Sequence, residues 1–579
     1  MMKAWCVGLV FALGACFAQP RRIASDLDLK GTASVDVIVQ YRSTPAADTF
    51  ARAKGKGARL KADFSAMKAA AYTVPSAAIA DLAQDPEVVY VSPDRSVAGL
   101  LDYSVQAARA DAASVGGLTG AGVGVAVIDS GVSDHPDLQT GIRGKSRVVY
   151  SESFVPGNPS TEDEYGHGTH VAGIISGDGG SSNGKNATHR LRGFAAGASI
   201  VNLRVLDGSG HGRDSSVIAA ILRAIQLKNT FNVRVINLSL GRPVAESFAT
   251  DPLCRAAEFA WKAGIVVVVA AGNEGRNDQF GTSGYGTIMS PGNDPFVITV
   301  GAMNARQTYA RGDDVITSYS SKGPTQVDHV VKPDLVAPGN RVASLLAGPA
   351  AYLAVNYPAN NVPYSYYLAA GTSNPSKTYF WLNGTSMAAA SVAGAAALMI
   401  DKDSLITPDV VKARLMKTAS KNFPAVSSVV DPATGKTYVS QYDLFTIGAG
   451  YVDVAAALAN TDILPAGTAA LSPGVLYDGS TGAVRMFTDY AGASSAVWGT
   501  SAVWGTSAVW GTSAVWGTSA VWGTSAVWGT MVLTDASAVW GTSAVWGTSG
   551  TSGFSAVWGT SAVWGTQTAT SASVLIKGE

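Results

Sequence analysis

The sequence predicts an α/β fold, a mainly parallel β-sheet flanked by helices, over residues 105–458. Across this range, apolar runs rich in β-branched residues alternate with helical stretches, a pattern typical of βαβ units whose sheet is buried on both faces. Three of the predicted strands, at residues 123–128, 233–238 and 264–271, are each followed at once by a polar or glycine-rich turn. Ligands of open α/β sheets bind at the carboxyl ends of the strands. The three turns therefore predict one functional site at that edge.

The first residues have the features of a secretion signal. Lys3 precedes an apolar stretch at residues 5–17 that is too short to span a bilayer as a helix, and Ala18 follows it. We expect a signal peptide over residues 1–18 and a secreted, extracellular protein. Cys16 leaves a second interpretation open, because the residues around it also resemble a lipoprotein processing box that would anchor the protein to a surface through a lipid.

A small α+β unit is predicted ahead of the sheet, over residues 33–97. Residues 35–41 alternate like a strand, a helical stretch follows at residues 48–71, and a second strand is expected at residues 88–91. Strand, helix and strand in a segment of this size make a small folding unit of mixed class.

Charge and cysteine content limit the classes of partner and of stabilisation. Lys plus Arg equals Asp plus Glu, 42 of each, so no global field argues for nucleic acid or an anionic membrane as the partner. Cys254 is the only cysteine outside the predicted signal peptide, which leaves no intrachain disulfide there. We expect Cys254 to be a small buried residue of a helix rather than a reactive thiol.

The sequence changes character after residue 459. A linker at residues 460–495 leads to a repeat of the hexad SAVWGT at residues 496–566, which holds ten of the 13 Trp residues, and to a tail at residues 567–579. An even period places Ala, Trp and Thr on one face of an extended chain, so short stacked strands or a solenoid with a Trp surface for adhesion or self-assembly is one interpretation. The other is a low-complexity segment, produced by DNA slippage, that folds weakly or not at all.

Three polar side chains in separate motifs have the character of nucleophilic catalysis. Asp129 directly follows a buried strand, where a carboxylate is held in a dry, fixed position. His167 lies between two glycines that leave room for close approach, at the start of a helix. Ser386 begins a helix of small apolar residues, near backbone donors and the positive end of the helix dipole, where a developing oxyanion is stabilised.

A second histidine in the same motif leaves alternatives open. His170 could take the place of His167, or the two histidines could bind a metal ion. No Glu follows in the pattern HExxH and no third ligand is evident, so we expect no metal at this motif.

The segments VIDSG around Asp129, HGTHVAG around His167 and GTSMA around Ser386 together resemble the subtilisin-like serine proteases, in that family's Asp, His, Ser order. The resemblance implies a subtilisin-like fold, protein or peptide substrates, and a catalytic triad of these three residues. It also implies that Asn273, in the segment AAGNEG, contributes to an oxyanion hole. The substrate-binding residues that it implies are Ser239, Leu240, Gly241, Ala271 and Gly272.

The resemblance extends to the unit at residues 33–97, whose run VVYVSPD is similar to the inhibitory propeptide of these proteases. It implies intramolecular inhibition, followed by self-cleavage near residues 98–103 that releases a peptidase domain at residues 104–459. The resemblance implies no cofactor for the chemistry. Family members often bind structural calcium, and because no disulfide is available an ion is a plausible clamp here, for which the sequence identifies no ligands. Ala390 stands where the family usually has Pro, and because either residue fits the start of a helix, we expect activity to be retained.

A rival interpretation is a scaffold without catalytic activity, in which the hexads mediate adhesion or assembly. Degraded scaffolds commonly lose a triad or oxyanion residue. Asp129, His167, Asn273 and Ser386 are all present. The sequence therefore favours the enzyme.

Overall fold

The computed structural model of the chain divides into two compact units, Met1–Ala98 and Gly99–Glu579. The residues that it describes are 22–23, 27, 29, 31, 33–65, 68–93, 100–101, 103–140, 144–278, 281–369, 371–431, 434–465, 468–478, 483–487 and 569–579. The predicted signal peptide and the hexads at residues 496–566 lie outside the described residues, as do residues 98, 99 and 102 of the expected cleavage region.

The first unit is a four-stranded antiparallel sheet with two helices, in the strand order β2-β3-β1-β4. Its elements are β1 (Ser34–Tyr41), α1 (Ala47–Gly55), β2 (Arg59–Phe64), β3 (Ala69–Pro75), α2 (Ile79–Ala83) and β4 (Val88–Pro93). The unit has an apolar core of its own, which includes Val37, Val39, Tyr72, Ile79 and Leu82. The strands predicted at residues 35–41 and 88–91 are confirmed.

The helix predicted at residues 48–71 is wrong in its second half. Helix α1 ends at Gly55, and Gly57 takes a φ of 84°, a conformation that glycine adopts readily. Residues 59–64 form β2, and residues 69–71 form the start of β3, where Ala70 is fully buried. Because β3 pairs with β1 on one side and β2 on the other, this pairing outweighs the helix propensity of its alanines.

The second unit contains the remaining strands and helices. Its strands are β5 (Leu100–Leu101), β6 (Gly124–Asp129), β7 (Gln139–Thr140), β8 (Lys145–Ser146), β9 (Val148–Ser153), β10 (His189–Arg190), β11 (Ser199–Arg204), β12 (Val233–Leu238), β13 (Val266–Ala270), β14 (Ile298–Asn304), β15 (Val315–Ile316), β16 (Leu335–Pro338), β17 (Val342–Leu345), β18 (Asn361–Pro363), β19 (Pro375–Leu382), β20 (Val426–Val430), β21 (Thr437–Gln441), β22 (Gly474–Asp478) and β23 (Ala483–Phe487). Its helices are α3 (Tyr103–Ala107), α4 (Asp111–Val115), α5 (Gly168–Ser176), α6 (Asp214–Gln226), α7 (Lys228–Phe231), α8 (Pro252–Lys262), α9 (Tyr352–Asn356), α10 (Tyr364–Tyr367), α11 (Thr385–Lys402), α12 (Pro408–Thr418), α13 (Leu444–Ile447), α14 (Val454–Ala459) and α15 (Ala569–Lys577).

The central sheet of this unit has eight strands and confirms the predicted α/β fold. Its order is β15-β14-β13-β12-β6-β11-β9, with β16 also paired to β14, and every pair except β14 with β15 is parallel. The strands predicted at residues 123–128, 233–238 and 264–271 are β6, β12 and β13, which are direct neighbours. Every residue of β6 and β13 is buried, as expected for a parallel sheet covered on both faces.

Helix α11 covers the middle of the sheet. It is buried from Thr385 to Ile400, lies against β12, β13 and β14, and packs against α5. The prediction of a buried helix of small apolar residues is confirmed, and Ala390 is fully buried within it.

Cys254 is fully buried in α8, as predicted, with its sulfur 3.2 Å from Asn293 Oδ1. Burial raises the pKa of the Cys254 thiol, which keeps it protonated and unreactive. Among the helices that the structure describes, none is long and apolar enough to cross a membrane.

Candidate active site

The turns that follow β6, β12 and β13 meet at one edge of the central sheet. Asp129 is the last residue of β6, Ser239 directly follows β12, and Ala271 directly follows β13. Because the three strands are parallel neighbours, their carboxyl ends lie side by side. The edge at which a site was predicted therefore gathers three of the candidate segments.

The side chains of Asp129 and His167 form a buried hydrogen bond. His167 Nδ1 is 2.7 Å from Asp129 Oδ1, which also accepts the backbone N–H of Ser130 at 2.7 Å. Gly168 permits this approach, because a Cβ there would lie 2.2 Å from the Gly131 carbonyl oxygen and 3.2 Å from Asp129 Oδ1. Asp129 is fully buried, whereas His167 is 5% exposed. The carboxylate holds the imidazole through Nδ1 and turns Nε2 to the opposite side of the ring.

The surroundings of His167 raise the pKa of its imidazole. Burial alone lowers this pKa, but the charge and the hydrogen bond of Asp129, together with the charge of Asp163, outweigh burial. The ring therefore takes up a proton more readily than an ordinary histidine does. This property suits a group that must accept a proton and hold it during a reaction.

Asp163 is a second buried carboxylate behind this pair, and the sequence reasoning did not single it out. Its Oδ1 accepts hydrogen bonds from Ser130 Oγ and from the backbone N–H of Gly166, both at 2.7 Å. Its Oδ2 accepts the backbone N–H of Thr169 at 2.7 Å. Burial raises the pKa of Asp163 against the opposing effect of these hydrogen bonds. The available signal was its position four residues before His167 in the segment DEYGH.

Ser386 lies in the first turn of α11, at the same edge of the sheet. Gly384, with a φ of 140°, immediately precedes the helix. Ser386 Oγ donates a hydrogen bond to the Ser239 carbonyl oxygen at 3.2 Å, and Ser239 Oγ donates to the Ser386 carbonyl oxygen at 2.8 Å. Helix α11 packs against α5, which begins directly after His167. Ser386 thus stands at a helix N-terminus beside the end of β12.

The side-chain amide of Asn273 faces the start of α11. Its Oδ1 accepts hydrogen bonds from the backbone N–H of Thr385 at 2.9 Å and from Thr385 Oγ1 at 3.1 Å. These two bonds orient the amide so that Nδ2 remains as a donor. A Cβ built on Gly384 would lie 3.1 Å from Nδ2, which places this donor against the turn that leads to Ser386.

The predicted substrate-binding residues occupy two adjacent strand ends, and Met289 lies against both. Cβ atoms built on Gly241 and Gly272 would lie 3.1 Å from Met289 Cβ and 2.8 Å from Met289 Cγ, respectively. The Met289 backbone N–H donates to the Ala271 carbonyl oxygen at 3.0 Å. Met289 is a candidate wall of the primary pocket that the sequence reasoning missed, because no local motif marks it. None of the residues named in this paragraph carries a charged side chain.

His170 makes a different set of contacts from His167. Its Nε2 is 3.1 Å from the Val342 carbonyl oxygen and 3.0 Å from the Phe380 carbonyl oxygen, so it donates to the backbone. Burial lowers the pKa of His170 to about 3, which keeps the ring neutral. The interaction with Asp129 belongs to His167, and we assign His170 a structural role.

The structure assigns no residues of the described ranges to a metal site. Within the described ranges, no group of three or more His, Cys, Asp or Glu side chains is placed to hold a metal ion. Calcium therefore stays a prediction from the resemblance, without named ligands.

Known proteins are similar to this chain over the same region. The model of the subtilase family, Peptidase_S8, matches residues 120–450. Serine protease AprX of Bacillus subtilis (strain 168) is 36% identical over 379 residues, which are 64% of this chain and 78% of AprX. Subtilisin E of the same organism is 34% identical over 427 residues, 72% of this chain and 94% of subtilisin E. A solved cold adapted subtilisin-like serine proteinase is 28% identical, with a TM-score of 0.37, over 53% of this chain and 85% of that chain. The chain therefore belongs to the subtilase family and is a serine-type endopeptidase.

Proposed function

We propose that this endopeptidase hydrolyses peptide bonds through an acyl-enzyme on Ser386, with His167 as the general base and Asp129 as its orienting acid. Ser386 Oγ attacks the scissile carbonyl carbon while His167 Nε2 takes its proton and then passes it to the leaving amine. Asp129 keeps the other proton on Nδ1 and stabilises the imidazolium. The buried 2.7 Å hydrogen bond between His167 Nδ1 and Asp129 Oδ1 is the observation that carries this proposal.

Negative charge develops on the substrate carbonyl oxygen when the acyl-enzyme forms and again when water hydrolyses it. The backbone N–H of Ser386 lies in the first turn of α11, where N–H groups have no partner within the helix. Asn273 Nδ2 is the second proposed donor, held in orientation by the bonds of Asn273 Oδ1 to Thr385. Two fixed donors of this kind stabilise an oxyanion without reorganisation during the reaction.

Protein or peptide substrates would bind in an extended conformation along residues 239–241. Backbone hydrogen bonds to such a strand give affinity with little dependence on sequence. Gly272 and Met289 line the adjacent pocket without charge, which favours an apolar or aromatic side chain just before the scissile bond. The preference among substrates would therefore depend on the one side chain that enters this pocket, and little on the rest of the substrate sequence.

The first unit is proposed to be an intramolecular inhibitor that makes the precursor a zymogen. It has its own antiparallel sheet and its own apolar core, which supports folding as a separate unit. Self-cleavage near residues 98–103 would separate it from the peptidase unit. With the predicted signal peptide at residues 1–18, this describes a secreted zymogen, or one held at a surface if Cys16 is lipidated.

The test compares the wild-type chain with Ser386→Ala by intact mass, N-terminal mass analysis, labelling with a serine-directed phosphonate, and casein hydrolysis. We expect the wild type to lose its first unit, to take up one phosphonate on Ser386 and to hydrolyse casein. The Ser386→Ala variant should accumulate as unprocessed, unlabelled precursor. Normal processing or labelling of that variant would contradict the assignment of the nucleophile.

A further inference from the structure

Residues 573–579, with the sequence SVLIKGE, lie against the peptidase unit, and we call them the docked segment. Val574 and Leu575 are 1% and 7% exposed and belong to the main apolar core, whereas Lys577 is exposed. The match to the family ends at residue 450, so the docked segment is an addition to the family's catalytic core. It covers a surface that the catalytic core itself provides.

One set of contacts joins the docked segment to the turn that carries Ser386. The Leu575 carbonyl oxygen accepts the backbone N–H of Asn383 at 3.0 Å and Asn383 Nδ2 at 3.2 Å. Gly578, with a φ of 57°, packs so closely that a Cβ there would lie 2.1 Å from Asn383 Oδ1. Because Asn383 is three residues before Ser386, the docked segment contacts the stretch of chain that leads to the proposed nucleophile.

A second set of contacts joins the docked segment to the loop that carries Asn273. Glu579 Oε1 accepts the backbone N–H of Ser318 and lies 3.7 Å from Arg276 Nη2. The Glu579 and Arg276 side chains are only 2% and 6% exposed. The Glu579 backbone N–H donates to Asn340 Oδ1 at 3.1 Å. Since Arg276 is three residues after Asn273, both loops that supply the proposed oxyanion donors touch the docked segment.

Arg276 makes the site that holds the Glu579 side chain suited to a carboxylate. It pairs with Asp431 at 2.8 Å and places Nη2 3.4 Å from the Gly578 carbonyl oxygen, so its guanidinium is fixed from two sides. Burial raises the pKa of Glu579, while the hydrogen bonds to Ser318 and the charge of Arg276 oppose that rise. A hydrogen bond to an ionised acceptor is about twice as strong as a neutral one, so Glu579, which accepts the Ser318 N–H beside Arg276, is the polar anchor of the segment.

The order of strands shows which side of the cleft the docked segment covers. The proposed substrate strand, residues 239–241, follows β12. Ser318 and Asn340, which hold the docked segment, follow β15 and β16, on the far side of β13. The residues that hold the docked segment therefore lie across β13 from residues 239–241, the side toward which we infer that a bound substrate extends its leaving group.

We propose that the docked segment is a built-in peptide ligand that closes the leaving-group side of the substrate cleft, and that its release opens the cleft to protein substrates. The inference rests on the proposed function of Ser386. A tethered ligand that is bound in roughly nine-tenths of the molecules leaves about one-tenth of them open to substrate. Release should then raise activity on extended substrates about tenfold.

The first experiment compares full-length Gly578→Val with the neighbouring variant Lys577→Ala as its control. Valine at a φ of 57° is strained and collides with Asn383, whereas Lys577 is exposed. Two substrates are measured: a quenched peptide that extends on both sides of the scissile bond, and a peptide p-nitroanilide, which ends at its leaving group. We expect Gly578→Val to raise kcat/KM about tenfold for the quenched peptide and little for the anilide, and Lys577→Ala to change neither. Equal kcat/KM in all three proteins, or a loss on both substrates with a lower Tm, would overturn the proposal.

The second experiment adds the synthetic peptide SVLIKGE to full-length Gly578→Val. Competitive inhibition is expected, and it should weaken severalfold when Gln replaces Glu in the peptide because the charge facing Arg276 is lost. Calorimetry on full-length Ser386→Ala, Gly578→Val measures the same binding without catalysis. Binding by that inactive protein, in a chain whose wild type hydrolyses nothing, would refute the proposed function and leave the docking intact. Absence of binding would overturn the proposal that the docked segment is an intramolecular ligand. Inhibition of the wild type that grows with enzyme concentration would also overturn it, because such inhibition arises between two copies of the chain.

Discussion

Two regions of the peptidase unit bury a carboxylate beside a cationic or basic side chain, and they differ in what surrounds the partner. At the end of β6, Asp129 holds His167 at 2.7 Å, and His167 is 5% exposed. Just before β16, Asp334 lies 2.7 Å from Lys332 and 3.3 Å from Lys412, and all three side chains are fully buried. We refer to these as the open pair and the closed cluster.

The closed cluster is saturated by the protein. Lys412 Nζ donates to the carbonyl oxygens of Pro295 and Val297 at 2.7 and 3.0 Å and to Ser472 Oγ at 2.9 Å. Burial lowers the pKa of Lys412 to about 7 in spite of Asp334. Burial of charge therefore does not by itself mark a reactive site. A buried group becomes reactive when one edge of it still faces a substrate, which is the role proposed for the imidazole of the open pair.

Replacing the acid of the open pair should have the largest effect. Asp129→Asn keeps the shape but cannot hold the imidazole in its tautomer or stabilise its charge, so we expect kcat to fall by about 10⁴-fold. Loss of the charge also lowers the pKa of His167. Because the base must be unprotonated, the acid limb of kcat/KM, expected above the ordinary histidine value of 6.5, should move to lower pH. Steady-state kinetics against pH measure both effects, and a kcat within tenfold of wild type would contradict the assignment.

The neutral side chain of Asn273 should contribute less to kcat than the charge of Asp129 does. Asn273→Ala removes one oxyanion donor, and the loss expected from the equivalent donor in subtilisin is roughly 10²- to 10³-fold in kcat, with KM little changed. The free energy of unfolding should remain within about 1 kcal/mol of the wild-type value, since the side-chain hydrogen bonds that Asn273 makes to the described residues go to Thr385. Turnover equal to that of wild type would remove Asn273 from the oxyanion hole.

The closed cluster should respond in stability and not in turnover. Asp334→Asn leaves Lys332 and Lys412 buried without a counter-charge, and we expect the free energy of unfolding to fall by about 3 kcal/mol. Urea unfolding measures this loss. Phosphonate titration of active sites then gives kcat per folded molecule, which should equal that of wild type. A drop in kcat per titrated site would show that the closed cluster is coupled to the open pair.

Features that depend on one continuous segment were predictable from the sequence. The runs at residues 123–128, 233–238 and 264–271 are buried on both faces, so their composition alone indicates parallel strands. The small apolar residues of α11 likewise indicated a buried helix from composition alone. The order of the motifs identified Asp129 and His167, whose side chains are hydrogen-bonded in the structure. The triad roles themselves stay predictions.

Features that depend on distant segments could not be predicted in this way. Residues 56–71 have a composition that suits a helix, but residues 59–64 pair with β3, and residues 69–71, at the start of β3, pair with β1. Met289 and Arg276 gain their positions only when the loops after β12, β13 and β15 come together. Asp163 is intermediate, because it lies near His167 in sequence but accepts a hydrogen bond from Ser130, 33 residues earlier in the chain.

Asp163→Asn gives the smallest expected effect and tests whether a closed, buried carboxylate can act on the open pair. The amide keeps an acceptor for Ser130 and Gly166 but loses the charge that helps to raise the pKa of His167. We expect the acid limb of kcat/KM to move to lower pH, with kcat reduced about twofold. Exposed Glu162→Gln is the matched control and should change neither.

Stability provides the independent readout for Asp163. Since burial raises the pKa of this carboxyl above its unfolded value, its stabilising contribution is present at low pH and is lost as pH rises through the folded pKa. The ionised form is therefore costly at neutral pH, but the amide cannot accept the Thr169 backbone N–H as Asp163 Oδ2 does, so we expect Asp163→Asn to change Tm little there. A fall in Tm without any movement of the acid limb would make Asp163 a purely structural residue, equivalent to Asp334. A movement of the acid limb at unchanged Tm would show that a saturated carboxylate tunes the open pair through Ser130, and that the two kinds of buried charge are not fully separate.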